Sequence, residues 1–391
     1  MPLVNQHDDL DRGRFSLSDG RVRPWQRSQV VTRSPPMVHD GVGTSRLIRT
    51  LQGRVHMSVR VAIIGAGNMG ADHARLFAEE LPNVTLTAIC DTSEARAQDL
   101  VNRLSVGTVF TDPFEAATTD VVDAVVIASP DETHAALTIA ALRAGKHVLC
   151  EKPLSPSSAE CIDVMRAEER VGVQRVQVGF MRRFDPAYVE MKATLDRGTI
   201  GAPLMMHCFH RNVDAPASFV RELAITGSAP HEFDAARWLL DDEVVSVSVF
   251  QPQLQPPTKH PMPVFMVLET AAGRLVNVEV NNHATYGYDV RAELVGELGS
   301  VSLRAPVDSE LHAGFHASSS YPGDWRPRFA RAYHVQNKAW IDSILSGQPT
   351  PGAASAWDGY CAARIAEAGV TSMRNGSAVR VDLMEQPALY R

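Results

Sequence analysis

The chain has no CxxC pair, no long run of Lys or Arg, and no stretch of about 18 apolar residues that a bilayer-spanning helix needs. Its five cysteines, Cys90, Cys150, Cys161, Cys208 and Cys361, are scattered. Scattered cysteines give neither a disulfide frame nor a zinc pattern and read as buried thiols. The histidines show no metal-ligand spacing, so no metal is expected. With no apolar span and no charged-then-apolar leader, the sequence implies a cytoplasmic protein with no membrane partner. A net charge of -7 argues against a nucleic-acid partner, which would be held by clustered cations.

What is present is the composition of a folded protein. At 45% hydrophobic and 21% charged residues, the chain has the apolar material to offset its ordering entropy. Its 391 residues suffice for two ordinary domains, each with its own core. Residues 1–56 differ: nine Arg and no Lys, several Ser and Pro, and no periodicity, which predicts a disordered extension. Met57 directly precedes the first clear strand and offers a second start, while Asp8, Asp9 and Asp11 argue against a transit peptide.

From residue 59 short β-branched runs alternate with amphipathic stretches, the pattern of a parallel sheet covered by helices. Strands are predicted over 59–64, 84–90, 123–129, 147–150 and 175–180, with helices over 70–81, 93–104, 131–144 and 156–170. After residue 200 strands follow one another, at 203–210, 243–251, 263–270, 274–282 and 288–297, before helices near 328–346 and 353–374. The fold class is therefore α/β: an N-terminal doubly wound parallel sheet over residues 57–180, and a C-terminal α+β domain with an open, mostly antiparallel sheet over residues 181–391.

The segment GAGNMG, Gly65 to Gly70, lies between a strand and a helix. Its glycines permit a tight turn, the approach of a pyrophosphate to backbone N–H groups, and close helix packing. The next strand ends in Asp91, where an acid accepts hydrogen bonds from the adenosine ribose and repels a 2′-phosphate. A Rossmann domain binding NAD in preference to NADP follows, with Arg96 read as a solvated helix residue.

Further motifs follow in order: SPDETH (129–134), EKP (151–153), GFMRRFDP (179–186), HRN (210–212), HEFDAARWLL (231–240) and YGYD (286–289). Together they resemble the Gfo/Idh/MocA oxidoreductases, most closely the inositol 2-dehydrogenase branch, from about residue 59 to the C-terminus. The resemblance implies an NAD-dependent dehydrogenase acting on a secondary hydroxyl of a cyclitol, sugar or related polyol, in a homodimer or homotetramer. It implies catalytic roles for Lys152 and His231, the histidine taking the hydroxyl proton. It implies substrate contacts for Arg182, Asn212 and Tyr286, and cofactor contacts for Gly65, Gly67, Asn68, Met69, Gly70, Asp91, Ser129, His134, Glu151 and Lys152. Arg183 and Asp185 read as a surface pair, and Asp234 and Arg237 as support for the helix opened by His231.

One position departs from the pattern. Where the inositol dehydrogenase branch carries an Asp four residues before the histidine, forming an acid–base dyad with it, this chain has Gly227. The lost carboxylate would have oriented the imidazole and stabilised its protonated form. Ser228 and Glu222 are candidate substitutes. The glycine keeps two alternatives open: bound NAD used for transient oxidation in glycoside cleavage or epimerisation, and a non-catalytic NAD-binding protein.

Overall fold

The computed structural model describes residues 58–216, 219–253, 263–307 and 309–391. The predicted disordered extension and the second start at Met57 lie outside the described residues.

The first sheet has six parallel strands: β1 (Val59–Ile64), β2 (Val84–Cys90), β3 (Thr108–Phe110), β4 (Ala124–Ile127), β5 (His147–Cys150) and β6 (Val176–Val178). Their spatial order, β3-β2-β1-β4-β5-β6, reverses direction between β1 and β4, so a crevice opens there beyond the carboxyl ends of the strands. Helices α1 (Asn68–Arg75), α2 (Glu94–Leu104), α3 (Pro113–Thr118), α4 (His134–Arg143) and α5 (Ser158–Val171) form the crossovers. Because helices cover both faces, β4 is buried at every position, as its unbroken apolar run requires. The edge strand β3 escaped the sequence pattern because three residues are too short to show a period.

After α6 (Pro186–Asp196), the second sheet is built from β7 (Pro203–Arg211), β8 (Val244–Phe250), β9 (Val264–Thr270), β10 (Leu275–Asn281), β11 (Asp289–Gly296) and β12 (Ser300–Ser302). A separate hairpin, β13 (Glu310–Ala313) with β14 (His316–Ser319), follows, and β15 (Val379–Arg380) closes one edge of the sheet. Its order is β12-β11-β7-β10-β9-β8-β15, and every pairing is antiparallel except β7 with β10. That exception arises because the chain leaves β7 through α7 (Pro230–Leu240), starts again at the far side with β8, and meanders back.

Alternation divides this sheet cleanly. Met206, Cys208 and His210 of β7, with Val276, Val278 and Val280 of β10, are buried on one face. Met205, His207 and Phe209, with Leu275, Asn277 and Glu279, occupy the open face. The period-2 pattern thus sends His210 inward, toward α7.

Two long helices finish the fold, α8 (Trp325–Ser346) and α9 (Ala356–Asn375). Helix α9 packs under β8 and against α5, and is opened by a Ser355–Asp358 capping box. Helix α8 follows the expected division at residue 180, yet its Trp340 and Ile341 join the core of the first sheet with Val61, Ile63 and Phe77. The Phe77 and Trp340 rings meet edge-on at 6.0 Å. This seam carries the far half of the chain back onto the first sheet.

Candidate active site

The glycine turn joins β1 to α1. Gly65 has φ +101° and donates its N–H to the Cys90 carbonyl at 2.8 Å. A Cβ at Gly65 would overlap the Ala128 carbonyl, and one at Gly70 would overlap the Gly65 carbonyl. At Gly67 a Cβ would meet nothing within 4 Å, so the backbone before α1 faces open space. Asn68 is exposed beside it. An open backbone at a helix N-terminus is a cradle for a pyrophosphate.

Asp91 follows β2 and braces this turn. One carboxylate oxygen accepts from the Ala66 N–H at 2.9 Å, and the other accepts from the Ser93 N–H at 2.9 Å. Arg96 is an exposed helix residue, as expected, and it is also paired: its Nη1 lies 3.2 Å from both Asp91 oxygens. One turn of helix separates the two residues and brings the guanidinium back over the carboxylate. These features fit a dinucleotide, with the Gly65–Gly70 turn on the pyrophosphate and Asp91 at the adenosine ribose.

Beyond β4 and β5 lies a cavity of about 340 Å³. The first sheet contributes Met69, Ser129, Asp131, His134, Glu151 and Lys152. Asn212, Gly227, Ser228, His231, His210 and Tyr288 face them from the second half, with Trp325 and Tyr333 of α8. The cavity thus unites Lys152, His231 and Asn212 with much of the predicted cofactor set. The Lys152–Pro153 peptide is cis. Lys152 Nζ donates to the Gly227 carbonyl at 3.0 Å, at the end of a wide π turn over Ala224–Ser228.

Glu151 is anchored rather than free. Its Oε1 meets His73 Nε2 at 2.9 Å, and its Oε2 accepts from the Lys152 N–H at 3.2 Å. His73 in turn meets Asn337 of α8 at 2.9 Å, so three elements hold this carboxylate. His134 is similarly engaged: Nδ1 faces the Pro153 carbonyl at 2.7 Å and Nε2 the Ser129 carbonyl at 3.0 Å. Burial opposes a charge there, but Cys150 and the Pro153 carbonyl push its pKa up to about 10. With both nitrogens on carbonyls, His134 ties two loops together, and only its ring lines the cavity.

His231 enters the cavity from the first turn of α7, where Pro230 occupies a position that needs no N–H. Its Nδ1 is buried without a hydrogen-bond partner. Burial, then the positive charges of Arg182 and Lys152, hold its pKa well below the ordinary histidine value. The positive end of α7 acts in the same direction.

Arg182 and Tyr286, named from the sequence as substrate contacts, do not line the cavity. Arg182 is only 1% exposed and lies one layer behind it. There it meets Glu232 at 2.5 Å, because a buried guanidinium demands a buried carboxylate. Tyr286 is 49% exposed; its hydroxyl donates to Asp289 at 2.9 Å and accepts from Arg211 at 3.0 Å. Two residues further on, Tyr288 is the tyrosine that reaches the cavity. Arg183 and Asp185 are not a surface pair either. Arg183 bonds Asp234 and Asp358 at 2.7 and 2.9 Å, while Asp185 takes two bonds from Arg328.

Ser228, a candidate for the missing carboxylate, donates to Asn282 Oδ1 at 3.2 Å on the cavity wall. Glu222, the other candidate, faces Arg374 at 3.5 Å and is not among the lining residues. Sequence reasoning missed Asp131, whose pKa burial raises while Lys152 lowers it. It also missed Trp325 and Tyr333, which sit on a helix with no recognisable motif. His210 lay in plain view within HRN, and strand alternation alone pointed it inward.

Residues 59–180 match the model of an oxidoreductase family with an NAD-binding Rossmann fold, and residues 188–302 match the GFO/IDH/MocA C-terminal domain. Inositol 2-dehydrogenase 1 of Saccharopolyspora erythraea is 44% identical over 337 residues, covering 85% of this chain and 99% of that protein. Inositol 2-dehydrogenase of Streptomyces avermitilis is 41% identical over 335 residues, covering 84% and 96%. The crystal structure of myo-inositol dehydrogenase from Lactobacillus casei in complex with NAD(H) and myo-inositol superposes with a TM-score of 0.81 at 30% identity, covering 86% of this chain and all of that one. On these matches the chain belongs to the Gfo/Idh/MocA family of oxidoreductases.

Proposed function

We propose that this protein is an NAD-dependent dehydrogenase that oxidises a secondary hydroxyl of a cyclitol or related polyol. The carrying observation is the convergence of Lys152 and His231 in one cavity beside the glycine turn. The Lactobacillus casei relative, crystallised with NAD(H) and myo-inositol, supports both cofactor and substrate class.

Bound NAD would supply the hydride acceptor. The protein's part is to hold the hydroxyl and stabilise its oxygen as the proton departs. The Lys152 ammonium, held by the Gly227 carbonyl, supplies positive charge where an alkoxide develops. His231, kept neutral, faces the same hydroxyl from the opposite wall of the cavity. Asn212 is held by Asn282 Oδ1 at 2.6 Å and presents its amide to the other hydroxyls. NAD is favoured over NADP because the Asp91 carboxylate opposes a 2′-phosphate, although Arg96 offsets part of that charge.

The open face of the second sheet serves as the contact between two copies of the chain. Phe265 and Leu275 are exposed there, and Phe209 is covered by the Arg291 guanidinium at 4.4 Å from the ring centre. The test of the catalytic reading is NADH formation from NAD and a panel of inositols; bound NAD with no net NADH would favour transient oxidation or a non-catalytic role.

A further inference from the structure

The loss of a carboxylate at position 227 leaves His231 poorly equipped to keep a proton. Its Nδ1 has no partner, and two cations and a helix N-terminus surround it. A proton left on that ring would be buried beside positive charge, with no acceptor for its second N–H.

A second imidazole in the same cavity has what His231 lacks. His210, at the inward end of β7, lines the cavity with its ring tilted 27° to that of His231 and 6.4 Å away. Its Nδ1 lies 2.9 Å from both Glu232 oxygens. Its Nε2 is approached by the Asn212 amide at 3.3 Å. Arg182 Nη2 also lies 3.3 Å from Nδ1, but the two shorter contacts are to the carboxylate, so the geometry favours Nδ1–H donating to Glu232, with the Nε2 lone pair turned to the Asn212 amide on the cavity side, where a substrate hydroxyl can replace it. Glu232 is fully buried. Against the burial that raises its pKa, Arg182 and the hydrogen bond from His210 hold it below the ordinary carboxylate range. A buried carboxylate behind an imidazole is the arrangement that orients a general base and stabilises its protonated form.

We propose that His210, oriented by Glu232, is the proton acceptor of this enzyme, and that the Glu232–His210 pair takes the place of the dyad broken at Gly227. The proposal rests on the polyol dehydrogenase reading. In the step, the substrate O–H bond breaks and an Nε2–H bond forms on His210. The carbinol C–H pair leaves as hydride to NAD, the carbonyl double bond forms, and the proton later passes from His210 to solvent. Glu232 acts through His210 and is a positioning residue. His231 then orients the hydroxyl without retaining its proton. The charged and titratable groups around His210 are Glu232 and His231 from α7, Arg182 from the turn before α6, and Lys152 and Tyr288 across the cavity. Glu232 is the anion in contact with the ring.

Three measurements test this. The first is the pH profile of NAD-linked inositol oxidation in His210→Asn and His231→Asn. The expected result is that His210→Asn loses about a hundredfold or more in kcat together with the acid limb of the profile, the usual weight of a general base. His231→Asn should raise KM and keep that limb. The reverse assignment of the limb overturns the proposal. The second is histidine 15N NMR of the unmodified protein, which needs no variant to fold and no turnover. The expected spectrum shows His210 with Nδ1 protonated and Nε2 bare. A His210 protonated on Nε2 and bare on Nδ1 overturns the dyad. If wild-type protein binds NAD but oxidises no inositol, the functional reading fails and the NMR result decides the dyad on its own. Glu232→Gln, which keeps the hydrogen bond but removes the charge, should lower kcat more than it raises KM; Glu232→Asp should recover part of the loss.

Discussion

Lys152 Nζ donates to the Gly227 carbonyl at 3.0 Å, so the lysine of EKP is held by the backbone of the residue whose side chain is missing. A carboxylate at that position would hold an ammonium by charge. Here a backbone carbonyl in a π turn does so as a neutral acceptor. The lysine stays in place and its charge remains free for the substrate.

Replacement of Lys152 by Ala is expected to lower kcat by about two to three orders of magnitude, the weight of one well-placed charge stabiliser. NAD affinity should stay within a few-fold, because the glycine turn and Asp91 stand apart from Lys152. Fluorescence titration with NADH checks the second half; a large loss of cofactor affinity would contradict the role given to this residue.

Gly227→Asp is expected to fold normally, because a Cβ there meets nothing within 4 Å and the glycine lies outside the positive-φ set. The new carboxylate would face Lys152 and the orphaned Nδ1 side of His231. Because the Glu232–His210 pair already supplies the base, inositol oxidation is expected to stay within about twofold of wild type, at an unchanged melting temperature; a rise of an order of magnitude would contradict the replacement of the dyad.

At the other end of the cofactor site, Asp91→Ser should free Arg96 to meet a 2′-phosphate. The ratio of kcat/KM for NADP to that for NAD is expected to rise on the order of tenfold, equivalent to about 1.4 kcal/mol. Part of the absolute activity should fall, since the Ala66 N–H loses its acceptor. A ratio that stays fixed would remove Asp91 from cofactor selection.

For the open sheet face, Phe265→Arg combined with Leu275→Asp is expected to convert an oligomer to monomer, because paired, desolvated apolar contacts would become charges. Sedimentation velocity reads the change. Wild-type protein sedimenting as a monomer would contradict the assignment of this face.

The fold was legible because its periodicities are strong. Short β-branched runs alternating with helix-length stretches marked the parallel sheet, and strands following one another from residue 203 with few helices between marked the second. Glycine spacing and Asp91 located the cofactor turn. What stayed hidden was set by three-dimensional pairing. Arg96 returns to Asp91 only because a helical turn brings it there, and Arg182 is drawn behind the cavity by Glu232. Tyr286 and Tyr288 stand two residues apart in a segment where the strand has not yet begun, so alternation could not choose between them. Trp325 and Tyr333 reach the site from a helix far along the chain, with no local signal. The Glu232–His210 pair joins two motifs that the sequence shows separately, and only the inward turn of β7 brings them together.

The most direct test of the central claim is a spectrophotometric assay of NADH formation from purified protein with NAD and a panel of inositols, aminocyclitols and aldoses. The account expects NADH with at least one cyclitol, at a rate that collapses in the Lys152→Ala variant. A flat trace with every polyol, from protein shown to bind NAD, would contradict it.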